Sequence, residues 1–274
     1  MSAPSIPPFL PATANEEDQT AHLRPTLYIG LGGFGCSVLR LLKRQLQELA
    51  PNDLDGFAFL GLDTHRQGAV DELSAGEYLP LSPGVVPDEV ARNHPRILGW
   101  YRDIVGAFRA RSIVGGADQN KPVGRLAFRQ PAALADFVSR LELAHDRLAR
   151  YRERFQVGKP PKVYVVSTLA GGTGAGCLID VMAVTGRYFT QNVDADFPFQ
   201  AVLVTPDVLV GEVTSGTLPL LYTNTYATLV ELNHFLSTSE IVRYDNGAMQ
   251  HLKVSREVLP NPIHLIGDRN DEGT

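Results

Sequence analysis

Two glycine clusters carry the chemistry open to this sequence. Ala170-Gly171-Gly172-Thr173-Gly174-Ala175-Gly176 follows the β-branched and aromatic run Val163 to Val166, and Leu178, Ile179, Val181 and Met182 begin a helix after it. A strand, a glycine turn over Gly171 to Gly176 and a helix together point backbone N–H groups at an anion. Glycine lets the backbone come close to a phosphate and take positive φ. The loop is not a P-loop, because that motif needs Gly-x-x-x-x-Gly-Lys-Ser/Thr and no lysine follows Gly176. A phosphate here is held by backbone donors and the Thr173 hydroxyl, and its charge calls for a metal ion or a helix dipole. A tight βα turn is the plain alternative, but it does not need four glycines and a threonine within six residues.

The second cluster, Gly30-Leu31-Gly32-Gly33-Phe34-Gly35, follows the strand Thr26 to Leu31 and matches Gly-x-Gly-x-x-Gly, a weak signal alone. Cys36 to Leu49 then reads as a helix with an apolar face of Val38, Leu39, Leu41, Leu42, Leu46 and Leu49. The next strand, Phe57 to Leu62, ends at Asp63-Thr64. In a dinucleotide fold an acid at that strand end binds a ribose 2′-hydroxyl. Asp63 stands 28 residues after Gly35, further than the usual ~20. It can equally cap the following helix with help from Thr64, and both readings stand. A third polar, glycine-rich segment runs from Gly115 to Arg125. Its length and Asp/Asn/Lys content suit a mobile loop over a phosphate and metal, with a surface loop as the plain alternative.

These clusters need a scaffold of alternating strands and helices. With 274 residues, 44% hydrophobic content, 20% charge and formal net charge −5, the chain falls among soluble globular proteins with room for a sizeable core. Its mild acidity argues against a general nucleic-acid or anionic-membrane surface. Cys36 and Cys177 have no metal-ligand spacing, which fits a reducing cytoplasm. Residues 1–20 lack the basic start and apolar core of a signal peptide, and no apolar run reaches membrane-spanning length. Residues 1–24 read as a disordered tail, and 25–274 as one domain.

Prolines at 80, 83, 87 and 95 interrupt residues 72–110. A helix is expected within His94 to Arg111, with Trp100 in the core. Pro131 to Phe155 reads as an amphipathic helix whose late arginines are solvated. A strand follows at Phe199 to Thr205. A helix then covers Tyr222 to Leu236, with Tyr226, Leu229, Val230 and Leu232 facing the core and Asn224, Asn233 and His234 polar. Ile241 to Val254 reads as a hairpin around Asp245-Asn246-Gly247, and Pro262 to Ile266 as a last strand. The fold class is α/β: a doubly wound, mostly parallel sheet with helices on both faces. Its glycine loops gather at the carboxyl edge, where such sheets bind ligands.

Five of these segments, in order, resemble the tubulin/FtsZ superfamily, in particular its divergent bacterial tubulin-like group. Ala170 to Gly176 is similar to the Gly-Gly-Gly-Thr-Gly-Ser/Thr-Gly signature, with Ala170 in the first position. Ile29 to Gly35 resembles the first glycine loop of FtsZ, and Leu62-Asp63-Thr64 through Ala69 its second nucleotide loop, with the aspartate before the threonine. Gly115 to Arg125 is similar to the loop near the γ-phosphate, with Lys121 inserted. Gly211-Glu212 looks like the ribose-binding loop. The resemblance covers roughly residues 25–270.

It implies a tubulin/FtsZ-type, Rossmann-like GTPase domain holding GTP or GDP, with Mg²⁺ bound through the phosphates. Gly32, Gly33, Phe34, Gly35 and Cys36 would touch the α/β phosphates, and Gly171 to Gly176 (Gly171, Gly172, Thr173, Gly174, Ala175 and Gly176) would cradle β/γ. Gly116, Ala117 and Asp118 would approach the γ-phosphate, and Asp63 and Thr64 of the second nucleotide loop would also bind the nucleotide. Glu212 would meet the ribose, and Asn224, Tyr226 and Asn270 the base. It also implies head-to-tail self-association or filaments. Nucleotide would be hydrolysed only when a second subunit inserts an acidic loop, which residues 1–274 lack, so the chain alone would bind without efficient turnover. No nucleic-acid partner and no membrane segment are expected. Two other readings compete. One is a Rossmann oxidoreductase binding NAD through Gly30, Gly32, Gly35 and Asp63, which leaves Gly171 to Gly176 unexplained. The other is a degenerate scaffold without nucleotide.

Overall fold

The computed structural model describes residues 23–65, 73–81, 116–193, 196–211, 217–244 and 250–268. Strand β1 (Thr26–Leu31) runs straight into helix α1 (Gly32–Leu49), and a 3-10 turn (Pro51–Gly56) leads to β2 (Phe57–Asp63). The short β3 (Tyr78–Pro80) follows, then α2 (Lys121–Arg129) and α3 (Pro131–Arg154). Next come β4 (Lys162–Thr168), α4 (Gly172–Asn192), β5 (Phe199–Val204) and α5 (Leu218–Ser237). The antiparallel ribbon β6 (Glu240–Arg243) and β7 (His251–Val254) precedes β8 (Ile263–Ile266).

Among the described residues β3-β2-β1-β4-β5-β8 form one sheet, and every pairing in it is parallel. Parallel strands covered on both faces read as near-continuous apolar runs, which is why Val163 to Val166 stands out. Leu27, Ile29, Leu60, Val163, Val165 and Leu203 point into the larger core, against Phe128, Phe137, Leu178 and Val181 of α2, α3 and α4. On the opposite face α1 lays Cys36, Leu39, Leu42 and Leu46 over Phe57 and Phe59. There Tyr28 stacks on Phe59 and on Tyr164, each with centroids 5.6 Å apart.

Among the described residues the expected strands and helices are present, with four corrections. First, α1 begins at Gly32 instead of Cys36, and α4 at Gly172. The glycines read as turns are therefore the first turns of helices. Gly32 alone among them needs its freedom, at φ 68°; Gly30, Gly35, Gly172, Gly174 and Gly176 serve close packing. A Cβ on Gly124 of α2 would sit 2.2 Å from the Gly172 carbonyl oxygen, and one on Gly172 would sit 2.5 Å from the Asn120 nitrogen. Backbone thus meets backbone where α2 reaches the start of α4.

Second, the expected loop to Arg125 ends at Asn120. Asn120 caps α2 by accepting from the Val123 N–H at 3.3 Å, and Pro122 sits in the first turn. Lys121 is buried and paired with Glu231 of α5. Third, α5 keeps Leu229 and Leu232 against the core as expected, but Tyr226 and Val230 face outward. Leu221, Asn224, Thr225, Thr228 and Leu232 are buried, while Tyr226 is 72% exposed and Val230 lies outside. Thr225 and Thr228 can be buried because their hydroxyls bond the Leu221 and Asn224 carbonyls one turn back. Fourth, β3 carries no signal that periodicity can detect, being a three-residue edge strand ending in Pro80. Residues 1–22, the segment around Trp100 and the turn Asp245-Asn246-Gly247 lie outside the described residues.

A buried charge cluster locks the helices behind the sheet's carboxyl edge. Asp180 of α4, 1% exposed, takes Arg129 at 2.8 and 3.2 Å, Arg125 at 3.2 Å and the Tyr244 hydroxyl at 2.5 Å. Burial alone would raise its pKa. The charges of Arg129 and Arg125, with hydrogen bonds from Arg129 and Tyr244, outweigh that and hold it well below the usual carboxylate range. Arg125 continues to Glu231 at 3.1 Å, so α2, α4 and α5 share one network.

Candidate functional site

From β1 the strand order runs one way to β2 and β3, and the other way to β4, β5 and β8. Such a switch point leaves a crevice at the strands' carboxyl ends. A cleft of about 220 Å³ opens there. Its walls are Gly32, Gly33 and Phe34 after β1, Asp63, Thr64 and His65 after β2, the turn Gly116 to Gln119, and Thr168 with Gly171 to Gly174 after β4.

Two helix N-termini meet in this cleft. Neither α1 nor α4 has a side-chain cap, so the N–H groups of their first turns are left for another acceptor. A Cβ on Gly32 would lie 3.1 Å from the Gly174 nitrogen, which shows how closely the two turns approach. Aligned peptide dipoles add partial positive charge at both ends.

A chain of hydroxyls crosses the floor. The Ala117 N–H donates to Thr64 Oγ1 at 2.7 Å, and Thr64 Oγ1 lies 2.6 Å from Thr173 Oγ1. Thr173 also hydrogen-bonds the Asp63 carboxylate, whose Oδ1 accepts the Thr64 N–H at 2.8 Å. Each hydroxyl has one proton to give. The Ala117 N–H donates to Thr64, and either hydroxyl can donate across the Thr64–Thr173 contact. The Thr173 hydroxyl thus sits among these neighbours, and Thr173 lines the cleft. Burial raises the Asp63 pKa, with these hydrogen bonds opposing only part of the effect. Asp63 and Asp118 are the acids among the described lining residues, and no Lys or Arg lines the cleft with them.

The turn over the cleft is held in an uncommon conformation. Asp118 and Gln119 have φ 46° and 58°, in the left-handed region that non-glycine residues seldom adopt. The Asn120 N–H closes the turn on the Ala117 carbonyl at 2.7 Å.

Of the residues the sequence nominates, Gly32, Gly33, Phe34, Asp63, Thr64, Gly116, Ala117, Asp118, Gly171, Gly172, Thr173 and Gly174 line the cleft. Gly35 and Cys36 do not. Gly35 packs against the Val166 carbonyl, and Cys36 lies under the sheet, where burial pushes its thiol up to about 12. Ala175 and Gly176 are also set back, with Gly176 against the Lys121 carbonyl. Asn224 is buried outside the cleft, its amide bound to main-chain carbonyls, and Tyr226 faces outward from α5. Glu212 and Asn270 lie outside the described residues. Sequence reasoning passed over His65, Gln119 and Thr168. His65 adjoins a nominated pair, Gln119 lies inside the nominated loop, and Thr168 lies two residues past the nominated strand.

The model of the family described as "Tubulin like" matches residues 27–274. The chain belongs to the tubulin-like family. No curated protein sequence matches it. Among solved structures it is similar to CetZ from Methanosaeta thermophila strain DSM 6194, at 13% identity over 89% of this chain and 46% of that one, with TM-score 0.43. It is also similar to the GDP-bound monomer of CetZ1 from Haloferax volcanii, at 13% identity over 75% and 47%, with TM-score 0.40. A GTPγS-form protofilament of TubZ from Bacillus thuringiensis serovar israelensis gives 11% identity over 79% and 43%, with TM-score 0.41. The tubulin-like chain thus spans less than half the length of each of these proteins. Among its described residues, no helix is long and apolar enough to cross a membrane.

Proposed function

We propose that the cleft binds a guanine nucleoside di- or triphosphate. The observation that carries this reading is the meeting of two helix N-termini without side-chain caps, α1 and α4, at the sheet's switch point. Phosphate oxygens supply the acceptors those N–H groups lack. Family membership favours GTP and GDP over other phosphates. By the same resemblance Glu212 serves the ribose, and Tyr226 and Asn270 the base.

The absence of Lys and Arg from the described lining makes Mg²⁺ the natural companion of the phosphates. Asp63, Thr64 and Asp118 offer the hard oxygen donors that Mg²⁺ prefers, directly or through water. No described group of three or more His, Cys, Asp or Glu side chains could hold a metal alone, which fits an ion arriving with the nucleotide. When bound, Mg²⁺ offsets phosphate charge. The chain's own groups bind and orient: backbone N–H groups cradle, and the hydroxyl chain sets the floor. Hydrolysis depends on groups from a second subunit in a head-to-tail assembly, and the single subunit turns nucleotide over slowly.

Nucleotide carried through purification and released by heat tests this. GDP or GTP recovered in near one-to-one amount supports it. Protein that carries none and binds none on addition of GTP with Mg²⁺ overturns it.

A further inference from the structure

Asn224 is a buried amide in a helix, 5% exposed, and it does not line the cleft. Its Nδ2 donates to the Gln119 carbonyl at 2.7 Å and to the Ala170 carbonyl at 2.9 Å. The amide nitrogen has two protons, and both are used. The two acceptors belong to different walls of the cleft. Gln119 ends the turn that carries Ala117 and Asp118, and Ala170 directly precedes Gly171.

We propose that Asn224 is a positioning residue for the phosphate cleft, fastening the 116–120 turn to the 170–171 peptide with one side chain. The proposal rests on the anion-binding reading above. A trans peptide sets its carbonyl and the following N–H on opposite sides. With the Ala170 oxygen drawn to Asn224, the Gly171 N–H is directed away from α5, on the side where Gly171 lines the cleft. A reversed peptide would present a carbonyl oxygen to the anion. On the other wall, the same amide restrains Gln119 in its left-handed conformation. The chemistry dictates the residue type: leucine has the size but no donor, and aspartate would set a carboxylate against two carbonyl oxygens.

Asn224→Thr tests this with little risk to folding, because its hydroxyl can bond one turn back as those of Thr225 and Thr228 do. Asn224→Leu is the second variant. Amide exchange in the ligand-free protein should quicken about tenfold or more in both 116–121 and 169–173, with β1 and α3 unchanged. GTP affinity with Mg²⁺ should fall about tenfold or more in the same variants. A merely structural loss would quicken exchange throughout the core. Exchange in the two segments within about twofold of the parent, in either folded variant, overturns the proposal. Because the exchange measurement needs no ligand, it decides the tether even if the parent protein fails to bind GTP.

Discussion

The hydroxyl of Thr64 lies 2.6 Å from that of Thr173. This contact joins the loop after β2 to the first turn of α4, elements on either side of β1. The Ala117 N–H feeds into the same chain, so three walls of the cleft are tied at one point. The ties use side chains for alignment and leave backbone N–H groups for the ligand.

Thr64→Val keeps the shape and removes the hydroxyl. It strands the buried Ala117 N–H and removes the hydroxyl partner of Thr173. A buried group left unsatisfied costs about 1–3 kcal/mol. Chemical denaturation should show a loss in that range, together with weaker nucleotide binding. A variant as stable as the parent would show that the hydroxyl chain does not hold the floor.

Asp63→Asn should make stability depend on pH in a defined way. Burial raises the folded pKa of Asp63 above its unfolded value. Its contribution is then most favourable below the unfolded pKa and is lost as pH rises through the folded one. Asparagine has no such penalty at neutral pH. The variant should melt higher than the parent at about pH 7.5, and the gain should shrink toward about pH 4. A gain that is constant with pH contradicts this assignment.

The central strands are legible because they are continuous apolar runs, as at Val163 to Val166, and at Phe57 to Leu62, which ends in Asp63. The first turns of α1 and α4 were misread as loops. Glycine suits a tight turn and a close helix contact equally, and the partner that makes Gly172 necessary is Asn120, remote in sequence. Half of the α5 face, Tyr226 and Val230, departs from expectation for a related reason. Its buried Asn224 and Thr228 are satisfied by carbonyls that periodicity cannot see. Cys36 and Gly176 belong to the nominated motifs, but helical rotation carries them behind the cleft wall.

Asp180→Ala removes the carboxylate that pairs with the buried Arg129. Breaking such a pair costs about 3–5 kcal/mol, to be read as a lowered denaturation midpoint. The folded pKa of Asp180 is depressed, so its contribution is present above the unfolded carboxylate pKa and is lost as pH falls through the folded value. The gap between parent and variant should be widest near neutrality and narrow below about pH 4.

Gly172→Ala tests the contact between α2 and α4. Its Cβ would stand 2.5 Å from the Asn120 nitrogen, so the cleft turn must shift. Overpacking of this kind costs about 1–3 kcal/mol. Nucleotide affinity should fall together with thermal stability, although alanine is the better helix former.

The central claim is that the cleft at the switch point is a guanine-nucleotide site. Calorimetric titration with GTP, ATP and NADH, each with Mg²⁺, tests it most directly. The account predicts saturable one-to-one binding of GTP in preference to the other two, abolished by Thr173→Ala combined with Gly174→Val. Binding of NADH in place of GTP, or GTP binding that survives those two substitutions, would contradict it.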